Sequence, residues 1–151
     1  VTKFEQFLSA TGKIIRFEDT TMPTIKTSYE NVTTRVRKVS AGPDVKYFFQ
    51  LEKPTKYSTK TASLEYTDLV ETIKAIDTLI AYSEKDKAAT VDYFENRFVA
   101  DGFEIGYFKN KGISWFMDLA KYGSDGTVFF PDVSVVRAIF IAAKEKIDSM
   151  K

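Results

Sequence analysis

The sequence predicts an α+β domain made of two tandem repeats of one unit, a four-stranded antiparallel meander followed by a helix. Three observations predict it. Short segments of alternating apolar and polar residues, parted by turn residues, precede each of two long amphipathic stretches. Aromatic residues reach 15% of the 151 residues, which suits a core dominated by sheet. The two halves can also be laid over each other residue by residue.

Taken in order, TKFEQFLSA (2–10) predicts a short helix ending at Gly12, and GKIIRFED (12–19) a strand. Thr20 to Glu30 reads as a polar loop broken by Pro23. NVTTRVRKVS and VKYFFQLEK flank Ala41-Gly42-Pro43-Asp44, which signals a hairpin, and TASLEY is the fourth strand. Residues 68–86 then place Leu69, Ile73, Ile76 and Ile80 on one helical face, with Asp68 as N-cap and Glu71 three residues on. The second half repeats the order. YFENRFVA and FEIGYFKN flank Asp101-Gly102, the strongest two-residue hairpin signal. ISWFMDLAK, the turn Tyr122 to Gly126, and TVFF follow. A last helix is capped by Asp132, with Val136, Ile139, Ala143, Ile147 and Met150 on its apolar face.

The overlay places VKYFFQLEK (45–53) on ISWFMDLAK (113–121), so that Tyr47 matches Trp115, Phe48 matches Phe116 and Leu51 matches Leu119. LEYTDLV (64–70) falls on VFFPDVS (128–134), with Asp68 on Asp132. The chain therefore reads as a single domain, 1–151, with one repeat from about 12 to 86 and the other from about 90 to 151.

Composition excludes several chemistries. The chain has no Cys and no His. That removes disulfides, Cys/His zinc sites and every catalytic arrangement that needs an imidazole or a thiolate. Asp101, Glu104, Asp118 and Asp125 do not have calcium-loop spacing, and turn and cap duties account for most of them. GFEIGYFKNKG lacks the strand–loop–helix setting of a nucleotide-binding loop. No cofactor, no metal and no enzymatic activity are expected. No apolar run suits a signal peptide or a membrane span, so cytoplasm is the default expectation. Net charge is +1 but uneven: +5 over residues 1–60, −6 over 61–106 and +2 over 107–151.

Strand parity supplies the candidate site. Val45, Tyr47, Phe49 and Leu51 form the apolar face of their strand, which leaves Lys46, Phe48 and Gln50 on the other. Phe108 and Phe116 fall on the polar faces of the second repeat, and Arg35 and Arg37 share one face of theirs. Aromatic rings beside basic groups on a sheet make a stacking platform for single-stranded nucleic acid. On this expectation Arg35, Arg37, Lys46 and Phe48 act in the first repeat, and Phe108, Lys109 and Phe116 in the second. Lys46 matches Ser114 and Gln50 matches Asp118, so the first repeat would do most of the binding to a polyanion. The competing expectation makes these Phe ordinary core, with the usual burial of Phe on its side.

Two copies of four strands plus a helix, with strand-to-helix steps at ASLEYTDLVETIKAI and TVFFPDVSVVRAIF, resemble the Whirly and positive-cofactor-four fold. The resemblance covers about residues 12 to 150. It rests on element order, without the Lys-Gly-Lys-Ala-Ala-Leu stretch of plant Whirly proteins. It implies binding of single-stranded DNA or guide RNA. The alternative function is a protein-interaction or assembly module, in which exposed Phe form an oligomerisation patch.

Overall fold

The structure, a computed structural model, describes residues 1–120 and 125–151. Of the turn predicted over Tyr122 to Gly126, positions 122–124 lie outside the described residues, as does the match of Lys53 with Lys121. A short helix, α1 (Lys3–Leu8), leads into strands β1 (Ile15–Lys26), β2 (Asn31–Ala41), β3 (Asp44–Pro54) and β4 (Thr59–Glu65), then helix α2 (Tyr66–Asp86). Strands β5 (Phe94–Ala100), β6 (Phe103–Lys109), β7 (Ile113–Asp118) and β8 (Thr127–Phe130) precede helix α3 (Val133–Met150). Each set of four strands forms its own antiparallel sheet in sequential order. The chain is thus α+β, with two tandem repeats of a meander followed by a helix.

Local chemistry sets the turns. Asp101 and Gly102 both have positive φ, 48° and 88°, as a two-residue primed turn requires. Gly42, at φ 61°, opens the hairpin that pairs Ala41 with Asp44. The overlay of the halves is also the physical register. Phe48 lies opposite Glu65, and its counterpart Phe116 lies opposite Phe129.

The structure corrects three expectations. Residues 20–26 are strand, because β1 continues past Pro23 to pair Lys26 with Asn31. The proline is tolerated because β1 is an edge strand and its ladder shifts register between Met22 and Ile25. Thr34 Oγ1 donates to the Pro23 carbonyl at 2.7 Å, which satisfies the disturbed backbone. Helix α2 starts directly from β4 at Tyr66, with Glu65 in the N-cap position, so Asp68 lies in the first turn. There it accepts from Lys3 Nζ at 2.8 Å. Asp132 does cap α3, accepting from Ser134 N at 2.9 Å. The first helix is also shorter than expected, running Lys3–Leu8 and closing on Ser9 instead of reaching Gly12.

The inner faces of both sheets and the two long helices form one continuous core. The helices are shared between halves. α2 packs on β3 and β4 and also on β5 and β6, while α3 packs on α2 and on β1 and β2. Phe140 of α3 is fully buried, 5.1 Å from the Phe49 ring of the first sheet and 6.0 Å from the Phe103 ring of the second. Lys53 adds a polar tie. Its ammonium pairs with Glu30 at 2.9 Å and donates to the Thr127 carbonyl at 3.1 Å. At the far end of α2, the buried Tyr107 hydroxyl donates to Asp86 and accepts from Asn96 Nδ2 at 2.8 Å. Burial, reinforced by that bond to Asp86, pushes the Tyr107 hydroxyl up to about 12.

Two outcomes follow from this core. Phe140→Ala should lower unfolding free energy by about 3–5 kcal/mol in a denaturant titration, through one transition seen by probes in both halves. Two separate transitions in the unsubstituted chain would contradict a shared core. The Tyr107 contribution is present below the unfolded-state value near 10.0 and disappears as pH rises through about 12. Alkaline unfolding should therefore steepen over that window, and Tyr107→Phe should remove the added slope.

Candidate functional site

The core occupies the inner faces, so a site for partners has to be sought on the outer ones. On the first sheet, Asp19, Arg37, Phe48 and Glu65 form one cross-strand row, with Thr21, Arg35, Gln50 and Ser63 in the next. Lys46 is opposite Val39, in the row on the other side. The structure therefore brings Arg35, Arg37, Lys46 and Phe48 to one face, as strand parity predicts.

The middle of that face is closed. Phe48 is 0% exposed, because α1 lies across it and the Phe4 ring meets it edge-on at 5.0 Å. Its expected role as an open stacking surface is corrected on that ground. The cations are also matched one by one. Arg37 makes a two-pronged contact with Asp19, at 2.7 and 2.9 Å, and its guanidinium carbon lies 5.1 Å from the Phe17 ring. Hydrogen bonding to Arg37 holds the Asp19 carboxyl below its usual value and raises Arg37 in turn. Arg35 donates to Gln50 Oε1 at 2.8 Å and pairs with Glu52 at 2.9 Å. Lys46 pairs with Glu65 at 3.4 Å and lies 5.8 Å from the Phe7 ring. A hollow of about 640 Å³ lies where this face meets the β5–β6 turn, but Arg35, Arg37 and Gln50 enter it already paired.

The second sheet is different. Arg97, Gly106, Phe116 and Phe129 form its middle row, flanked by Glu95, Phe108 and Ser114 on one side. Val99, Glu104, Asp118 and Thr127 lie on the other. Phe116 is only 7% exposed, so it too is corrected as an open stacking surface. The Phe108 ring, half-buried, packs against it at 6.0 Å. Lys109 is corrected as well. One residue beyond Phe108, it points to the inner side, donating to the Ala89 carbonyl at 2.8 Å beside the Phe94 ring.

Residues outside the predicted set carry the open part of this face. Phe129 is 54% exposed and Tyr93 55%. Tyr93 stacks on Phe108 at 6.3 Å, and Phe129 stands at right angles to it at 6.1 Å. Gly106 underlies the arrangement. A Cβ there would sit 2.7 Å from Arg97 Cα and would also strike the Asn96 carbonyl, so only glycine permits this approach of β5 to β6. A glycine in mid-strand is a sequence signal of close backbone approach, and Gly106 is the one residue here that carried it. Around the rings, Arg97 is shared between Glu95 at 3.3 Å and Glu104 at 3.1 Å. Burial raises the Asp118 carboxyl above its usual value, and its Oδ1 has no hydrogen-bond partner among the described residues.

Among the described residues, no group of three or more acidic side chains is placed to hold a metal ion, and no helix is long and apolar enough to cross a membrane. No protein-family model matches the chain, and no curated protein matches it.

The Asp19–Arg37 pair gives an acid-side prediction. A carboxylate held low in the folded state contributes stability above its unfolded value of about 4, and the contribution is lost as pH falls through the folded value. Asp19→Asn should remove that part of the acid dependence. At neutral pH the partly exposed pair should be worth no more than about 1 kcal/mol, measured by chemical denaturation at pH 7 and pH 3.

Proposed function

We propose that the chain is a protein-interaction module that docks a partner on the outer face of its second sheet. The observation that carries this reading is the cluster of exposed Tyr93 and Phe129 on either side of the half-buried Phe108, which itself rests on Phe116. Exposed, ordered aromatic rings bring much buried area at little entropic cost, which is why they anchor protein interfaces. The equivalent face of the first sheet already has such a partner in its own α1.

Charge favours protein over nucleic acid as the ligand. The rim holds Glu95, Glu104 and Asp118 against Arg97, which repels a polyanion. Arg37, Arg35 and Lys46 of the first sheet are spent on Asp19, Glu52 and Glu65. The Whirly-type resemblance rests on element order, and a shared order of elements carries no ligand with it.

The test is a selection of displayed random peptides against the immobilised chain, followed by anisotropy titration of an enriched peptide. Phe129→Ser should weaken binding at least about tenfold, or 1.4 kcal/mol, while Phe17→Ser on the first sheet leaves it unchanged. Binding indifferent to Phe129→Ser would overturn the proposal. So would salt-sensitive binding of a mixed single-stranded oligonucleotide in place of any peptide. A dimer seen by sedimentation and lost on Phe129→Ser would identify the partner as a second copy of the chain.

A further inference from the structure

We propose that the hollow among these rings receives a cationic side chain, an Arg or a Lys, of the docked protein. This rests on the preceding reading and specifies the partner's chemistry.

The hollow measures about 210 Å³, below the ~300–1,000 Å³ of ordinary small-molecule pockets. It is scaled to the head group of a side chain, not to a cofactor. Its walls are ring faces set at different angles. Phe129 stands 77° from Phe108, and Phe116 is tilted 50° from it, so a group in the corner between them meets more than one π-surface. A cation is drawn to such faces by the ring quadrupole.

The electrostatics select the same occupant. Two carboxylates, Glu95 and Asp118, line the hollow with one guanidinium, and Glu104 stands beyond its edge. Arg97 is engaged by Glu95 and Glu104, and Asp118 has no salt-bridge partner among the described residues. Gly126 closes over the buried oxygen of Asp118, since a Cβ there would lie 3.4 Å from it. A neutral apolar group seated over Asp118 would desolvate that carboxylate further and give nothing back. An acidic group would be repelled. An Arg or Lys head group supplies the missing charge and stacks its alkyl stem on the rings at once.

The test is a two-dimensional NMR titration at pH 7 and low salt with the pentapeptide Val-Thr-Arg-Thr-Val and its citrulline counterpart, a neutral isostere of the same shape. The arginine peptide should shift signals of Tyr93, Phe108, Phe129 and Arg97 in a saturable way, with at least about fivefold tighter binding than the citrulline peptide. Asp118→Asn should abolish that preference, and Phe129→Ala should weaken both peptides. Equal binding of the two peptides at these residues would overturn the cationic occupant while leaving the docking face intact. No shift at these residues with either peptide would overturn the inference. Choline binding there more tightly than the arginine peptide would also overturn it, by making a free quaternary amine the occupant.

Discussion

Phe140 is the side chain on which the two halves depend. It belongs to the second repeat by sequence, yet its ring lies against Phe49 of the first sheet and Phe103 of the second. The crossing of α3 onto β1 and β2, and of α2 onto β5 and β6, follows the same logic. Each sheet has one apolar face to bury, and each long helix covers part of both. The first repeat alone would leave Phe49 without Phe140, and a four-stranded sheet with one uncovered apolar face is marginal. Matched core residues in the overlay, such as Phe49 with Met117 and Leu51 with Leu119, stay buried in both copies. The shared core constrains these positions and leaves the outer faces free to differ.

They have differed a great deal. Pairing register makes Arg35 the counterpart of Glu104, Arg37 of Gly106, and Glu65 of Phe129. On the first sheet the result is a polar face in which Arg35, Arg37 and Lys46 are each answered by a carboxylate and Phe48 is capped by Phe4. On the second, the absence of a side chain at Gly106 lets two strands approach closely, and a ring, Phe129, stands where the first sheet has the charge of Glu65. The same scaffold occurs twice in the chain. The first copy is sealed by its own N-terminal helix, and the second presents aromatic surface to solvent.

Much of this was legible in the residues. The Asp101-Gly102 turn needs positive φ and announces it, and period-two alternation placed Phe48 and Phe116 on the faces where they are found. The sequence could not show what lies above a face. Phe4 and Phe48 are far apart in the chain, and only tertiary packing brings a six-residue helix over β3. Likewise, the pairing of Arg37 with Asp19 depends on the register of β1 on β2, and a proline at position 23 disguised the stretch of β1 that leads into their hairpin. Phe129 escaped notice because a four-residue strand offers too little alternation to assign a face. The shift of the α2 start from Asp68 to Tyr66 reflects a strand that passes into a helix without a loop to punctuate it.

Functionally, Tyr93 and Phe129 on the outer face of the second sheet are open, while Phe48 on that of the first is sealed beneath α1. Hydroxyl-radical footprinting of the free protein, read residue by residue by mass spectrometry, tests it most directly. Tyr93 and Phe129 should be modified rapidly and Phe48 protected under conditions where the fold is intact. Modification of Phe48 at a rate comparable to Phe129 would contradict it.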